Sequence, residues 1–286
     1  MLSPDCAMTR QAKTDGFAWE ESALGVLRRD IASPLLVCRG SIDAVTVELV
    51  EQVLEWMGQS ESVTVLLSSN GGHVIPAYKM AVLLRQRCAD IRMLIPRRAR
   101  SAATLVAIGA DRIAMGEFAE LGPLDASIIV QPFANDGVVR LSASDAPYML
   151  RIAKEWSSSG PESVASGLPA NAASVSTLVG IYRAEDIVIQ LATRLLGSVQ
   201  DPMPQETIVG VVDRLVHGYV SHDYPIMRPE AQAIGLRIER PSSANESLLR
   251  AAENQVAHLS AREHGERAVV IGGNSDCDWK LCQVGD

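Results

Sequence analysis

Strand-like and helix-like segments alternate along the first half of the chain, and this alternation limits the possible folds more than any other feature. The apolar runs SPLLVCRG, SVTVLLSS and IRMLIP are typical of buried strands, and each is followed by a helix-like segment. The units repeat about every 30 residues, which favours a mostly parallel sheet connected by right-handed helical crossovers. The sequence therefore predicts an α/β protein.

The second half of the chain has a different pattern. Helical segments dominate after residue 140, and a stretch rich in Ser, Gly, Pro and Ala at 157–174 predicts a loop. A strand-like GLRIE follows, and PSSANES marks a boundary. We therefore predict an N-terminal arm and helix (1–30), an α/β domain with a mainly helical C-terminal part (31–240) and a C-terminal appendage (241–286).

Composition and charge exclude several classes of function. The chain of 286 residues is 47% hydrophobic and 21% charged, a composition that can bury a core. A net charge of −8 argues against a surface for nucleic acid, because phosphate contacts require basic residues. No segment has the apolar length of a membrane span, and the first residues lack the apolar core of a secretory signal. We expect a cytoplasmic protein without a nucleic-acid partner.

The cysteines indicate a reducing compartment. They are odd in number and form no CxxC pair: Cys6, Cys38, Cys88, Cys277 and Cys282. Cys38 and Cys88 lie in apolar runs and are expected to be buried thiols. Cys277 and Cys282 could form a redox or metal pair, but two thiols are fewer ligands than a zinc site requires. We therefore expect no metal and no cofactor.

Three motifs follow consecutive predicted strands, at the sheet edge where open α/β proteins bind ligands. In the first, Gly71 and Gly72 allow a sharp turn whose N–H groups suit a developing oxyanion. In the second, Ser101 precedes a helix and is either a nucleophile or a helix N-cap, and the N–H of Ala102 is a further oxyanion donor. The third, AELGPLD at 119–125, reads as a structural turn.

The order and spacing of these motifs resemble a known superfamily. "LLSSNGGHV" and, about thirty residues later, "RRARSAATLVAIGADRIAMGEFAELGPLD" are similar to the ClpP/crotonase superfamily of serine peptidases, in its SppA-like and serine dehydrogenase proteinase-like branch. The resemblance covers residues 34–126 and is looser at 221–239. It implies a ClpP/crotonase-type spiral of ββα units, Ser101 as nucleophile and an oxyanion hole at Gly71 and Gly72. It also implies a homo-oligomer that acts on peptide or protein substrates.

The general base has two candidates. ClpP places a histidine shortly after the serine, but no histidine lies between His73 and His217. SppA-type enzymes resemble a Ser/Lys dyad, and Lys154 follows Ser101 in the predicted helix SDAPYMLRIAKEW. His222, which is followed by Asp223, is the other candidate for the general base because an imidazole can accept a proton near neutral pH. A surface role for Lys154 and a turn-closing role for His222 stay open.

The leading hypothesis is a soluble SppA-like serine peptidase that forms an acyl-enzyme at Ser101. The alternatives are a catalytically inactive ClpP-fold protein acting as an oligomeric binding or scaffold protein, and, with less support, an acyl-CoA enzyme of the crotonase kind. Three arginines precede the serine, at Arg97, Arg98 and Arg100. They either receive a substrate carboxylate or form a solvated basic turn.

Overall fold

The computed structural model describes residues 21–31, 33–130, 139–142, 175–262, 265–266, 269–274 and 279–283, together with residues 145, 148, 151 and 154. Several sequence predictions lie outside these described residues. They are the arm at 1–20, most of the predicted helix around Lys154, the loop at 157–174, Cys6 and Cys277.

The helices of the described residues are α1 Ala23–Ile31, α2 Ala44–Met57, α3 Val74–Arg87, α4 Ala102–Ile108, α5 Val175–Gly197, α6 Gln205–His217, α7 Arg228–Ala233 and α8 Ser243–Ser260. The strands are β1 Leu35–Arg39, β2 Ser60–Ser68, β3 Cys88–Ile95, β4 Arg98–Ala99, β5 Arg112–Met115, β6 Glu120–Leu121, β7 Ser127–Val130, β8 Val139–Ser142, β9 Ile226–Met227, β10 Ile238–Glu239, β11 Ala261–Arg262, β12 Gly265–Glu266, β13 Val269–Gly273 and β14 Trp279–Gln283. Among the described residues, no helix is both long enough and apolar enough to cross a membrane.

A central sheet of seven strands organises the domain, in the order β10-β5-β3-β2-β1-β13-β14. The first five strands run parallel, so the predicted α/β architecture is confirmed. Side chains alternate between two apolar cores along β1 because successive residues of a strand face opposite sides of a sheet. Leu36 and Cys38 join the core beneath α2, α3 and α4, whereas Leu35 and Val37 join the core beneath α1 and α8.

The described part of the segment 241–286, which the sequence separates as an appendage, packs on this domain. Strand β13 pairs antiparallel with β1, and β14 continues the sheet beyond it. A Cβ atom at Gly272 would lie 2.5 Å from a Val53 methyl carbon of α2, so glycine allows the close approach of β13 to that helix. The C-terminal segment therefore covers the β1 side of the sheet.

Three thiols are buried and free in the described residues, at Cys38, Cys88 and Cys282. Burial raises the pKa of Cys38 to about 12 and that of Cys88 to about 11. The prediction that Cys38 and Cys88 are buried thiols is confirmed. These thiols are inert near neutral pH because the thiolate is the reactive form.

A buried carboxylate at the start of β5 joins three separate elements. Asp111 accepts the backbone N–H groups of Ile91 and Gln200, each at 2.7 Å, and pairs with Arg85 of α3 at 2.9 Å. Burial alone would raise the pKa of Asp111, but these three partners together lower it below its ordinary value. Asp111 therefore links β3, β5, α3 and the segment after α5.

Replacing Asp111 with Ala is expected to lower the free energy of unfolding by about 2–4 kcal/mol, because it leaves buried donors without an acceptor. Urea denaturation at pH 7 measures this loss. Since the folded pKa is lowered, the contribution is present above pH 3.8 and disappears as the pH falls through the folded pKa. Asp90→Ala, which removes a half-exposed pair with Arg112, is the control and should cost less than about 1 kcal/mol. Equal losses of stability in the Asp111 and Asp90 variants would contradict the structural role assigned to Asp111.

Candidate active site

A small three-stranded sheet brings distant segments together at the carboxyl end of the parallel strands. Strand β4 pairs with β6 in parallel, and β6 pairs with β9 antiparallel. A further bridge joins Ser69 to Ala99. The chain segments that contain the Gly pair, Ser101 and His222 consequently meet at one edge of the domain.

Ser101 stands in a strained backbone conformation at the start of α4. Its φ of 52° and ψ of −123° make it the one non-glycine residue with positive φ among the described residues. Such a conformation costs on the order of 1–3 kcal/mol and is concentrated at functional sites. The Ser101 side chain makes no capping hydrogen bond, although Ser is a favoured N-cap. The hydroxyl also has no hydrogen-bond partner elsewhere in the described chain, so it is available for other chemistry.

Buried Thr104 holds the helix that carries Ser101. Its hydroxyl oxygen lies 2.7 Å from the Ala99 carbonyl oxygen and accepts the Gly122 N–H at 3.0 Å. A Cβ atom at Gly122 would lie 3.1 Å from the Arg100 Cα and Cβ atoms, so the turn after β6 packs closely on the residue before the serine. This contact fixes the turn that contains Asp125 relative to Ser101.

The Gly pair is closely packed, with Gly71 against Ser101 and Gly72 against Ile42. Gly71 has a φ of 105°, and a Cβ atom there would lie 2.7 Å from the Arg100 carbonyl oxygen and 2.9 Å from the Ser101 Cβ. Gly72 has a φ of 151°, and its Cβ would lie 2.2 Å from the Ile42 carbonyl oxygen. Both positions require glycine, because the backbone approaches too closely for any side chain.

The three predicted oxyanion donors differ in their hydrogen bonds. The Gly71 N–H donates to the Ser69 hydroxyl at 3.0 Å. The N–H groups of Gly72 and Ala102 have no acceptor within the part of the chain that the structure describes. N–H groups without an acceptor, placed near a nucleophile, can stabilise the oxyanion of an acyl-transfer intermediate. Of the three predicted donors, Gly72 and Ala102 are thus the ones whose N–H groups are not already hydrogen-bonded within the described chain, whereas that of Gly71 is bonded to Ser69.

His222 is hydrogen-bonded to a buried carboxylate. Its Nδ1 contacts the Oδ1 of Asp125, whose side chain is 4% exposed, whereas the histidine side chain is 26% exposed. In a neutral imidazole, a carboxylate acceptor on Nδ1 selects the tautomer with an unprotonated Nε2, the form that can accept a proton. The neighbour Asp223 is exposed and donates its backbone N–H to Ser221. Asp125, rather than Asp223, orients the ring.

Asp125 is not among the site residues that the sequence predicts, because its turn has the pattern of a structural turn. The contact depends on the pairing of β6 with β9, which joins Leu121 to Ile226 across more than a hundred residues. One sequence signal was present: an acidic residue in an apolar turn, at the sheet edge where ligands bind.

A cavity of about 360 Å³ lies beside these groups. Ser101, His222, Gly71 and Gly72 line it, together with Arg39 and Arg98. Its remaining lining residues, at 40, 41 and 68–70, are glycine, serine and asparagine. Among the described residues, no group of three or more His, Cys, Asp or Glu could hold a metal ion.

Lys154 does not line this cavity. It is an exposed residue with helical backbone. His73, next to the Gly pair, is also exposed and does not line the cavity. Of the two candidate bases that the sequence offers, the cavity contains His222.

Part of the domain is similar to a known protein family. Residues 42–145 match a family described as ClpP-like SDH-type serine proteinase. The match includes the Gly pair, Ser101 and Asp125, and it ends before Lys154 and His222.

Two curated relatives come from Methanocaldococcus jannaschii. The uncharacterized protein MJ0137 is 25% identical over 198 residues, which are 68% of this chain and 60% of that protein. The uncharacterized protein MJ1495 is 21% identical over 197 residues, which are 68% of this chain and 59% of that protein. The alignments thus span about three fifths of the length of these relatives.

Solved structures of proteases are also similar to the chain. The 1510-N membrane-bound stomatin-specific protease superposes with a TM-score of 0.45 at 14% identity, covering 74% of this chain and 80% of that one. ClpP1 from Listeria monocytogenes gives a TM-score of 0.40 at 13% identity, covering 73% and 93%. Residues 42–145 are thus similar to ClpP-like SDH-type serine proteinases, and the described domain has an α/β fold around a mostly parallel central sheet.

Proposed function

We propose that the chain is a serine peptidase of the ClpP-like clan that hydrolyses peptide bonds through an acyl-enzyme on Ser101. The observation that carries this proposal is the hydrogen bond from His222 to buried Asp125 at the cavity that Ser101 lines. A nucleophilic serine needs a base, and the base needs a third group to orient it. These three roles fall to Ser101, His222 and Asp125.

In the proposed reaction, the Ser101 Oγ attacks the substrate carbonyl carbon while His222 Nε2 takes the hydroxyl proton. Asp125 stays ionised, holds the ring and stabilises the imidazolium that forms. The tetrahedral oxyanion accepts hydrogen bonds from the N–H groups of Gly72 and Ala102. His222 then protonates the leaving amine, and the acyl group stays on Ser101. Water attacks this ester with His222 again as base, which releases the second product and restores the serine.

The assignment of the base departs from the Ser/Lys dyad of an SppA-like subtype. A base must reach the proton that it removes, directly or through one water molecule. The exposed position of Lys154, outside the lining of the cavity, favours His222 for this task. We therefore propose a peptidase with a Ser/His/Asp arrangement and SppA-like motif order around its nucleophile.

Self-association and a cytoplasmic location are further parts of the proposal. Val179, Tyr182 and Ile187 are exposed apolar side chains of α5, which supports contact with a second copy of the chain. The three buried free thiols agree with a reducing compartment.

Reaction with a fluorophosphonate probe tests the proposed nucleophile. The folded protein is expected to gain one phosphonyl adduct, which peptide mapping by mass spectrometry should assign to Ser101. The Ser101→Ala variant and the urea-unfolded protein are the controls, and neither should react. A folded wild-type protein without an adduct, or one modified at another serine, would support the catalytically inactive alternative instead.

A further inference from the structure

The three arginines that precede Ser101 have different environments. Arg100 pairs with Glu120 at 2.6 Å, so its charge is compensated. Arg97 is exposed and lines a separate cavity near Phe118 and Arg250. Arg98 is half-buried, lines the same cavity as Ser101, and has no carboxylate within ion-pair distance among the described residues.

The second arginine of this cavity is already neutralised. Arg39 is buried and pairs with buried Glu253 through Nη1. The same guanidinium donates to the Ser260 hydroxyl at 2.8 Å and to the Ser68 hydroxyl at 3.1 Å. Arg39 therefore belongs to a structural network, and among the described lining residues Arg98 is the arginine without a carboxylate partner.

Within the part of the chain that the structure describes, the remaining lining of the cavity is polar and contains no acidic side chain. Besides Arg39, the lining residues between 39 and 70 are glycine, serine and asparagine. Asp125 contacts His222 but is not a lining residue. An apolar substrate side chain would have little apolar surface to contact here, whereas an anion would meet one guanidinium and several hydroxyl groups.

We propose that the cavity beside Ser101 binds a carboxylate of the substrate and that Arg98 is the residue that recognises it. A guanidinium presents two parallel N–H groups that match a carboxylate, which makes Arg98 suited to this role. The carboxylate has two possible sources, an Asp or Glu side chain next to the scissile bond and the free C-terminus of a short peptide. For cleavage, this inference rests on the proposed peptidase function, whereas binding of the carboxylate does not require turnover.

Binding to the Ser101→Ala variant tests the inference without turnover. Four fluorescent peptides of one sequence serve as probes: amide-capped versions with Glu, Gln or Lys at the central position, and the Gln version with a free C-terminal carboxylate. Fluorescence anisotropy should give a Kd about tenfold or more lower for at least one carboxylate peptide than for the capped Gln peptide. Tighter binding of the Glu peptide identifies a side-chain carboxylate, and tighter binding of the uncapped peptide identifies the C-terminus. Equal Kd values for all four peptides would overturn the inference.

Substitutions of Arg98 test whether this residue causes the difference in Kd between the carboxylate and neutral peptides. Arg98→Gln in the Ser101→Ala background should abolish the difference between the carboxylate and neutral peptides, and Arg98→Glu should reverse it in favour of the Lys peptide. Arg97→Gln is the matched control, because it removes the neighbouring charge from the other cavity, and it should preserve the difference. A preference that survives in a folded Arg98→Gln variant would assign recognition to another residue and refute the role of Arg98. If that variant does not fold, Arg98→Lys replaces it and should weaken the preference, because one ammonium lacks the paired N–H groups.

These experiments test the peptidase function and the carboxylate site independently of each other. Without a fluorophosphonate adduct on Ser101, the peptidase function fails, whereas the peptide-binding comparison still reports on the carboxylate site. With an adduct and equal peptide affinities, the peptidase function stands and the carboxylate inference fails.

Discussion

Under the proposed mechanism, replacing His222 with Ala is expected to slow phosphonylation of Ser101 and peptide hydrolysis by about 10³-fold or more, because the serine would lose its proposed base. The Asp125→Asn variant should show a loss of similar order, since an amide no longer holds the ring in the tautomer with an unprotonated Nε2. The rate of adduct formation, followed by intact-mass spectrometry at pH 7.5, measures both effects.

A second histidine near the serine provides the control for this prediction. His73 is adjacent to Gly72 in the chain but is exposed and does not line the cavity. His73→Ala should therefore react within about threefold of the wild-type rate. If His222→Ala retained the wild-type rate while its circular dichroism stayed native, the proposed base would be wrong.

Replacing Gly72 with Ala is expected to reduce phosphonylation of Ser101 by about 10²–10³-fold, the usual effect of losing an oxyanion donor. The new Cβ would lie 2.2 Å from the Ile42 carbonyl oxygen, so the turn must move and carry its N–H away from the serine. The strained φ of 151° adds a loss of about 1–3 kcal/mol in the free energy of unfolding. Labelling rates and urea denaturation measure the two effects.

The Gly58→Ala variant is the control that distinguishes backbone strain from displacement of the proposed oxyanion donor. It ends α2 with a φ of 75°, and nothing lies within 4 Å of a Cβ built there. Gly58→Ala should therefore lose about 1 kcal/mol of stability and keep the wild-type labelling rate. Equal labelling losses in the Gly58 and Gly72 variants would show that the Gly72 effect comes from general destabilisation.

The parallel part of the sheet could be predicted from the sequence because its signal is local. Strands β1, β2 and β3 are apolar runs of five to nine residues, and helices with apolar residues at helical spacing follow them. The positions of the Gly pair and Ser101 could be predicted for the same reason, since each belongs to a short motif at a strand end. The attachment of β13 to β1 joins residues more than two hundred positions apart, and no local pattern encodes such pairing.

The hydrogen-bond partner of His222 could not be predicted for a related reason. Strands β6 and β9 contain two residues each, too few to show periodicity, yet their pairing brings Asp125 to the histidine. The sequence makes Lys154 a candidate because it follows Ser101 in a predicted helix, but its order in the chain carries no information about exposure, and the structure shows this residue as exposed. The hydrogen bond from the Gly71 N–H to the Ser69 hydroxyl could not be predicted either, because it depends on the geometry of the turn.

The central claim is that Asp125 and His222 activate Ser101, and one comparison of rates tests it most directly. The measurement is the second-order rate constant of fluorophosphonate labelling at Ser101 in the wild-type protein, Lys154→Ala and His222→Ala, under identical conditions. We expect Lys154→Ala to react at the wild-type rate and His222→Ala to react about 10³-fold more slowly. A large loss in Lys154→Ala together with an unchanged rate in His222→Ala would contradict the account and identify a Ser/Lys dyad.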